Sequence, residues 1–157
     1  MHPIDQRLQA LGITLPQRSR PAGNYVPACR CDRLLFISGQ FPLENGQLKY
    51  AGQIGRDLTP EDGYQGAQLA ALNVLAHIRH ETNHWQQLGS ILHIDGHISS
   101  AENFHDQPKV LDGASDLLKQ ALQDQAGHAR AVFAHRVLPL NSCVELVVIA
   151  CLRDREQ

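Results

Sequence analysis

The sequence predicts an α+β fold, in which two helices pack on one face of a mixed or antiparallel sheet. Three observations support this: a hairpin signal near residue 45, two stretches with helical periodicity, and a closing strand whose residues are mostly apolar on both faces. The predicted element order is strands, helix, strand, helix, strands. The 157 residues suffice for one core, and we expect an N-terminal arm at 1–20 and a single domain at 21–154.

The first third of the chain contains the arm and the first strands. A short amphipathic stretch at 4–11 is followed by prolines and a glycine, which break regular structure. Residues 25–31 and 34–38 are predicted strands. Asn45-Gly46 lies between two short apolar segments, and this pair is the strongest local signal for a β-hairpin.

The first predicted helix begins at Thr59-Pro60-Glu61-Asp62 and extends to about His84. Threonine can cap a helix, proline suits its first position, and acidic residues favour its positive end. An apolar stripe at helical spacing should pack on the sheet; its members are Ala67, Ala71, Val74, Ile78 and Trp85.

A predicted strand at 91–99 leads to the second helix. Asp106-Gln107-Pro108 marks its start and Gly127 its end. Its buried stripe consists of Leu111, Ala114, Leu117, Leu118, Ala121 and Leu122.

The closing strands are expected at 130–138 and 143–152. The last strand is apolar on both faces, so both faces should be buried away from water. Two helices can cover only one face of a six-stranded sheet. We therefore expect an oligomer in which a second copy covers the other face.

Composition and charge favour a cytoplasmic protein and give no support to nucleic-acid binding. A net charge of −2 provides no basic field for nucleic acid. Neither a signal-peptide pattern nor a membrane-spanning apolar run occurs. The four cysteines lack CxxC spacing and are expected to be buried reduced thiols.

Two charged residues near the C-terminus are candidates for chemistry. Glu145 is the only charged residue between Val144 and Leu152, so it needs a partner or a function, unless it lies at a strand edge or pairs with Arg136. Arg130 begins a strand, where its guanidinium could bind a carboxylate through two hydrogen bonds. A solvated arginine at a strand end would explain the same position.

The histidines do not indicate a metal site. His77, His80 and His84 share the side of the first helix opposite its apolar stripe and are expected to face solvent. Their spacing is not HExxH. His128 is close enough to Arg130 to contribute to a site, and Ser38 is not in a nucleophile-elbow motif.

Several short motifs together resemble the Rid (YjgF) family of reactive-intermediate deaminases. They are the segments 23–26 (Gly-Asn-Tyr-Val) and 35–42 (Leu-Phe-Ile-Ser-Gly-Gln-Phe-Pro), then Arg130 nine residues before Pro139, and Glu145 six residues after it. The resemblance implies a chorismate-mutase-like fold and a homotrimer with sites at subunit interfaces.

The resemblance also implies roles for individual residues. Arg130 matches the arginine that holds the substrate carboxylate, and Glu145 matches the glutamate that positions water; Tyr25, Ser38 and Gly39 match positions lining the site. The implied reaction converts 2-imino or 2-enamino acids to 2-keto acids and ammonia. It needs no cofactor and no metal.

Two departures from the family pattern leave alternatives open. Val132 stands where active members often have cysteine, and Leu111 is the apparent counterpart of an asparagine on the second helix. The chain could instead be a non-catalytic trimeric protein that binds carboxylate metabolites or acts like a chaperone. An endoribonuclease or translation inhibitor, a label given to some relatives, is the third reading.

Overall fold

A computed structural model describes residues 1–153, which form three α-helices and seven strands. In chain order they are α1 (Pro3–Ala10), β1 (Ala28–Cys31), β2 (Leu34–Gln40), β3 (Leu43–Glu44), β4 (Gln47–Leu48), α2 (Pro60–Glu81), β5 (Leu88–Ser99), α3 (Gln107–Leu122), β6 (Ala129–His135) and β7 (Val144–Leu152). A turn of 3-10 helix, Gln123–Ala126, follows α3.

The main sheet is mixed and has the strand order β1-β2-β7-β5-β6. All neighbours are antiparallel except β5 and β6, which are parallel. The predicted six-stranded sheet is thus five-stranded, because the hairpin strands β3 and β4 pair only with each other. Within residues 1–153 the sheet ends at β6, so this strand has a free edge there.

The hairpin and the first helix form where the sequence predicts them. Asn45 and Gly46 both have positive φ, 51° and 77°, as a type I′ turn requires. Thr59 and Asp62 form a reciprocal capping box at the start of α2. The helix ends at Glu81 rather than near His84, because the backbone turns left-handed from residue 83.

Helices α2 and α3 pack side by side on one face of the sheet, as predicted. Every residue of both predicted apolar stripes is buried. The helices approach closely at Gly113, where a Cβ would collide with the backbone of Tyr64.

The N-terminal arm contributes a third helix to this core. Ile4 and Leu8 on α1 are buried, and the Arg7 side chain donates a hydrogen bond of 2.8 Å to the carbonyl of Ala121. The amphipathic stretch is therefore a packed element of the fold. The predicted domain end at residue 154 lies outside the described residues.

Two expectations about burial were wrong. His77 is buried, because the extended segment after α1 places Ser19 Oγ 3.4 Å from its Nε2, and this burial lowers the pKa of His77. Cys29 and Cys31 are exposed, because β1 is an edge strand, whereas burial raises the pKa of Cys143 to about 12.

The second face of the sheet has no covering helix within the described chain. Along β7, buried residues alternate with half-buried ones, and the latter point to this outer face. Apolar side chains exposed on neighbouring strands are Leu34, Phe36 and Phe133. None of the helices in residues 1–153 combines the length and apolar character needed to cross a bilayer.

Candidate functional site

Glu145 lies on the outer face, in the middle of the sheet. Its strand β7 runs between β2 and β5, and Glu145 pairs in register with His97 of β5. On the β2 side, the carboxylate lies over Gly39, where any Cβ would collide with Oε1. A glycine at position 39 therefore makes room for this carboxylate.

The surroundings of Glu145 perturb its ionisation. Burial raises the pKa of the Glu145 carboxyl group, and the charges of His97 and His135 oppose this shift. The two imidazoles are joined by a 2.9 Å hydrogen bond between His97 Nδ1 and His135 Nε2. His97 also stacks on Phe133, with ring centroids 5.1 Å apart.

Sequence reasoning missed this histidine pair. His97 and His135 are 38 residues apart, and their spacing matches no motif. Only the parallel register of β5 and β6 brings them together, on the same face as Glu145. The one available signal was the position of each histidine within its predicted strand. Such positions indicate a shared face only when the register between the two strands is known.

Of the other predicted site residues, Gly39 lies beside Glu145, Ser38 precedes Gly39 on β2, and Tyr25 belongs to the segment that enters the sheet. Ser38 Oγ donates a 2.7 Å hydrogen bond to the carbonyl of Val26, so this hydroxyl fixes the entering segment. Tyr25 is 48% exposed, and its hydroxyl accepts a hydrogen bond from the backbone N–H of Ala22. Tyr25 and Gly39 line the same small cavity.

Arg130 lies on the opposite face of the sheet. It pairs in register with the buried Ile94, so its side chain points toward α3. Nη1 donates to Ser115 Oγ at 2.9 Å, and Nη2 donates to Asp112 Oδ1 at 2.7 Å. Nη2 also reaches the carbonyl of Pro108 at 3.3 Å, and the side chain stays 28% exposed.

His128 extends this network. Its Nε2 lies 3.0 Å from Ser115 Oγ, while Nδ1 contacts the carbonyl of Ala126. A neutral imidazole with its proton on Nδ1 satisfies both contacts, since Ser115 then donates to Nε2 and accepts from Arg130. The proximity of His128 to Arg130 expected from the sequence is confirmed.

The two positions that depart from the family pattern have different surroundings. Val132 is partly buried and packs against the core on the same side as Arg130. Leu111 is fully buried and packs under Gly96, away from the guanidinium. On α3, Arg130 bonds to Asp112, to Ser115 and to the carbonyl of Pro108, whereas the Leu111 side chain contacts Gly96.

Within one chain, the predicted site residues thus form two groups on opposite faces of the sheet. We call Arg130, Val132, Asp112 and Ser115 the arginine half-site, and Tyr25, Ser38, Gly39 and Glu145 the glutamate half-site. One subunit does not bring Arg130 and Glu145 together. Arg130 aligns with Ile94 of β5 and Glu145 aligns with His97, and these two β5 residues point to opposite faces of the sheet. In residues 1–153, no three His, Cys, Asp or Glu side chains are grouped to hold a metal ion.

Comparisons with known proteins agree with this fold. The model of a family described as "YjgF/chorismate mutase-like, putative endoribonuclease" matches residues 5–152. Protein TCP17 of Trypanosoma cruzi is 31% identical over 152 residues, which cover 96% of this chain and 95% of that protein.

Solved structures give the same result. A "putative endoribonuclease" from Shewanella oneidensis MR-1 is 34% identical with a TM-score of 0.93, covering 96% of this chain and 100% of that one. Atu1372 of Agrobacterium tumefaciens, a protein of unknown function, is 34% identical with a TM-score of 0.89, covering 96% of this chain and 92% of that one. The YjgF protein of E. coli, 17% identical, has a TM-score of 0.64 over 89% and 96% of the two chains and shows the shared fold. The chain therefore belongs to the YjgF/chorismate mutase-like family, also known as the Rid family.

Proposed function

We propose that this protein is a hydrolase that deaminates reactive 2-imino and 2-enamino acids to 2-keto acids and ammonia. The observation that carries the proposal is Glu145, a half-buried carboxylate in the middle of the outer sheet face, placed over a glycine that leaves it room and in register with His97. A carboxylate in such a position is costly to ionise, and a site that uses it as a base offers a reason to retain it.

Arg130 supplies the binding element of the proposed site. Its guanidinium lies at the sheet edge and remains partly open to solvent, with Ser115 holding its Nη1 end. A guanidinium anchored in this way loses little freedom when it binds a carboxylate. We infer that Arg130 holds the substrate carboxylate and thereby orients the imine carbon.

A complete site needs two copies of the chain. The arginine half-site lies at the β6 edge beside α3, and the glutamate half-site lies on the outer face. A contact between two different patches is heterologous, and repeating it closes a ring when the rotation allows. We propose a homotrimer in which the edge of one subunit packs on the outer face of the next.

The chemistry requires only water and these side chains. Glu145 accepts a proton from water as the water oxygen bonds to the imine carbon. The C–N bond of the resulting carbinolamine then breaks as the nitrogen leaves with the proton from Glu145, and the hydroxyl group passes its own proton to the carboxylate of Glu145 as the carbonyl forms, from which the proton is lost with the departing ammonia. The products are the 2-keto acid and ammonia. An enamine enters the same path once a proton adds to its carbon and the imine forms.

The proposal is tested by hydrolysis of 2-iminopropionate, generated by an amino-acid oxidase and trapped with semicarbazide. The wild-type protein should reduce the trapped imine. Arg130→Ala should lower kcat/KM by about two orders of magnitude, since two charge-assisted hydrogen bonds are lost. Glu145→Gln should lower kcat about a hundredfold and change KM little.

Arg56→Ala is the matched control. Arg56 also forms an ion pair with an aspartate, Asp57, but it lies on an exposed loop. This variant should keep wild-type activity. Equal trapping with and without wild-type protein would contradict the deaminase proposal for this substrate.

A non-catalytic carboxylate-binding protein is the second candidate. The ion pair between Arg130 and Asp112 favours it, because a guanidinium already neutralised by the chain gains less from an anionic substrate. This candidate predicts that Arg130→Ala abolishes binding of a keto acid in a protein that never accelerates hydrolysis.

A further inference from the structure

The hydrogen bonds of Arg130 restrict how it can take a ligand. A guanidinium binds a carboxylate through two parallel N–H bonds along one of two edges, Nη1 with Nη2 or Nε with Nη2. Both edges include Nη2. In this chain, Nη2 already donates to Asp112 Oδ1 at 2.7 Å and to the carbonyl of Pro108 at 3.3 Å.

An incoming carboxylate must therefore displace one of these two partners. The bond to Pro108 is long and involves a neutral acceptor, whereas the bond to Asp112 is short and charge-assisted. The carboxylate should replace the carbonyl of Pro108 and share Arg130 with Asp112. Two carboxylates on one guanidinium carry a net negative charge, which disfavours a simple anion.

A ligand with its own positive charge beside the carboxylate removes this penalty. The second oxygen of Asp112, Oδ2, has no hydrogen bond to any residue in 1–153, and the side chain is 47% exposed. In a protonated 2-imino acid, the C=NH₂⁺ group is bonded to the carbon that carries the carboxylate. Its N–H can donate to Asp112 while the carboxylate takes Arg130.

The hydrolysis product cannot make the same pair of contacts. A 2-keto acid presents a carbonyl oxygen where the imine presents an N–H donor, so two acceptors face each other at Asp112. Asp112 thus repels the anionic product and attracts the zwitterionic substrate.

We propose that Asp112 is a specificity-determining residue, which selects the zwitterionic 2-iminio acid and favours release of the anionic 2-keto acid. This inference rests on the proposed function, because it assigns substrate and product to the two charge states. It adds a second charged contact, on α3, to the carboxylate contact of Arg130.

The test is inhibition of 2-iminopropionate hydrolysis by the product, pyruvate. Asp112→Asn keeps the side-chain shape and an oxygen that can accept from Arg130, but it removes the negative charge. Its inhibition constant for pyruvate should fall about tenfold relative to wild type, while KM for the imine does not fall. Asp112→Ala should show the same direction if the asparagine variant fails to fold.

Asp116→Asn is the matched control. Asp116 lies one turn further along α3, and its carboxylate accepts a hydrogen bond from the Tyr64 hydroxyl. This change removes the same charge from the same helix without touching Arg130, so pyruvate inhibition should stay at the wild-type value.

Two results would overturn the inference. One is an inhibition constant for pyruvate that differs less than twofold between wild type and both Asp112 variants. The other is an equal gain in affinity for substrate and product, which would indicate a generally loosened site.

Calorimetry separates this inference from the proposed function. If the wild-type protein hydrolyses no imine, the deaminase proposal fails, but binding still reports on Asp112. Asp112→Asn should then bind pyruvate more tightly than wild type and bind the zwitterion L-alanine no more tightly. Unchanged pyruvate binding would refute the role of Asp112 whatever the activity.

Discussion

Glu145 is a single side chain that lowers the stability of this fold in return for its role in the proposed function. Burial raises the pKa of its carboxyl group from the ordinary value of 4.5, and the nearby His97 and His135 only partly offset that effect. Folding therefore makes ionisation of Glu145 less favourable than it is in the unfolded chain. The cost of ionising Glu145 is absent well below pH 4.5, grows as pH rises through the raised folded pKa, and is fully present above it.

Replacing Glu145 with glutamine should consequently stabilise the protein in a pH-dependent way. We expect Glu145→Gln to raise Tm at pH 7 to 8 and to change it much less at pH 4, where the wild-type carboxyl group is largely protonated. Thermal unfolding followed by circular dichroism at several pH values measures this. An equal rise in Tm at both ends of the range would show that packing, rather than charge, is responsible.

Helix α1 shows that a short terminal element can be part of the core. Its apolar side chains are buried against the rest of the fold, and the polar ones tie it to two other elements. Asp5 accepts hydrogen bonds from the Trp85 indole at 2.9 Å and from Arg79 at 3.0 Å. A helix of eight residues is unstable alone, so these tertiary contacts hold it in place.

Removing a buried side chain from α1 should therefore cost as much as a core mutation elsewhere. Leu8→Ala should lower the free energy of unfolding by about 2–4 kcal/mol. The control is Leu11→Ala at the end of the same helix, where the side chain is 45% exposed and the cost should stay below about 0.5 kcal/mol. Urea unfolding of both variants provides the comparison. Equal, small effects would mean that α1 is a detachable arm.

The molecule as a whole has its two half-sites on surfaces that cannot meet within one chain. In the part of the chain that the structure describes, the strand order leaves β6 with a free edge and leaves the outer face of β7 and β5 open. The outer face also carries exposed apolar side chains such as Phe36 and Phe133, which a partner would bury. These features are what the proposed ring of three subunits would use.

Subunit complementation tests that arrangement directly. Arg130→Ala and Glu145→Gln, each about a hundredfold less active than wild type when alone, should regain activity when mixed and reassembled. With random mixing, about one quarter of the sites would combine an intact Arg130 from one copy with an intact Glu145 from the next. Measuring hydrolysis after co-refolding checks this. A mixture as inactive as its components, despite exchange of subunits, would contradict a shared site.

Much of this architecture was readable from local patterns. The Asn45-Gly46 turn, the capped start of α2 at Thr59 and the apolar stripes of α2 and α3 depend on residues close in sequence, so turn chemistry and helical period predict them well. The order of elements followed from the same signals. The motifs around Arg130 and Glu145 indicated the family, and the comparisons confirmed it.

Long-range pairing decided on which face of the sheet the candidate site residues lie and which partners they have. The face that a strand residue occupies depends on the register with a distant strand. The sequence therefore predicted Arg130 and Glu145 as members of one site, whereas the sheet of one subunit places them on opposite faces. The contact of Asp112 with Arg130 and the pairing of His97 with His135 arise in the same way. Hydrophobic periodicity is a local property of the chain, whereas register and helix rotation emerge only when the whole core packs.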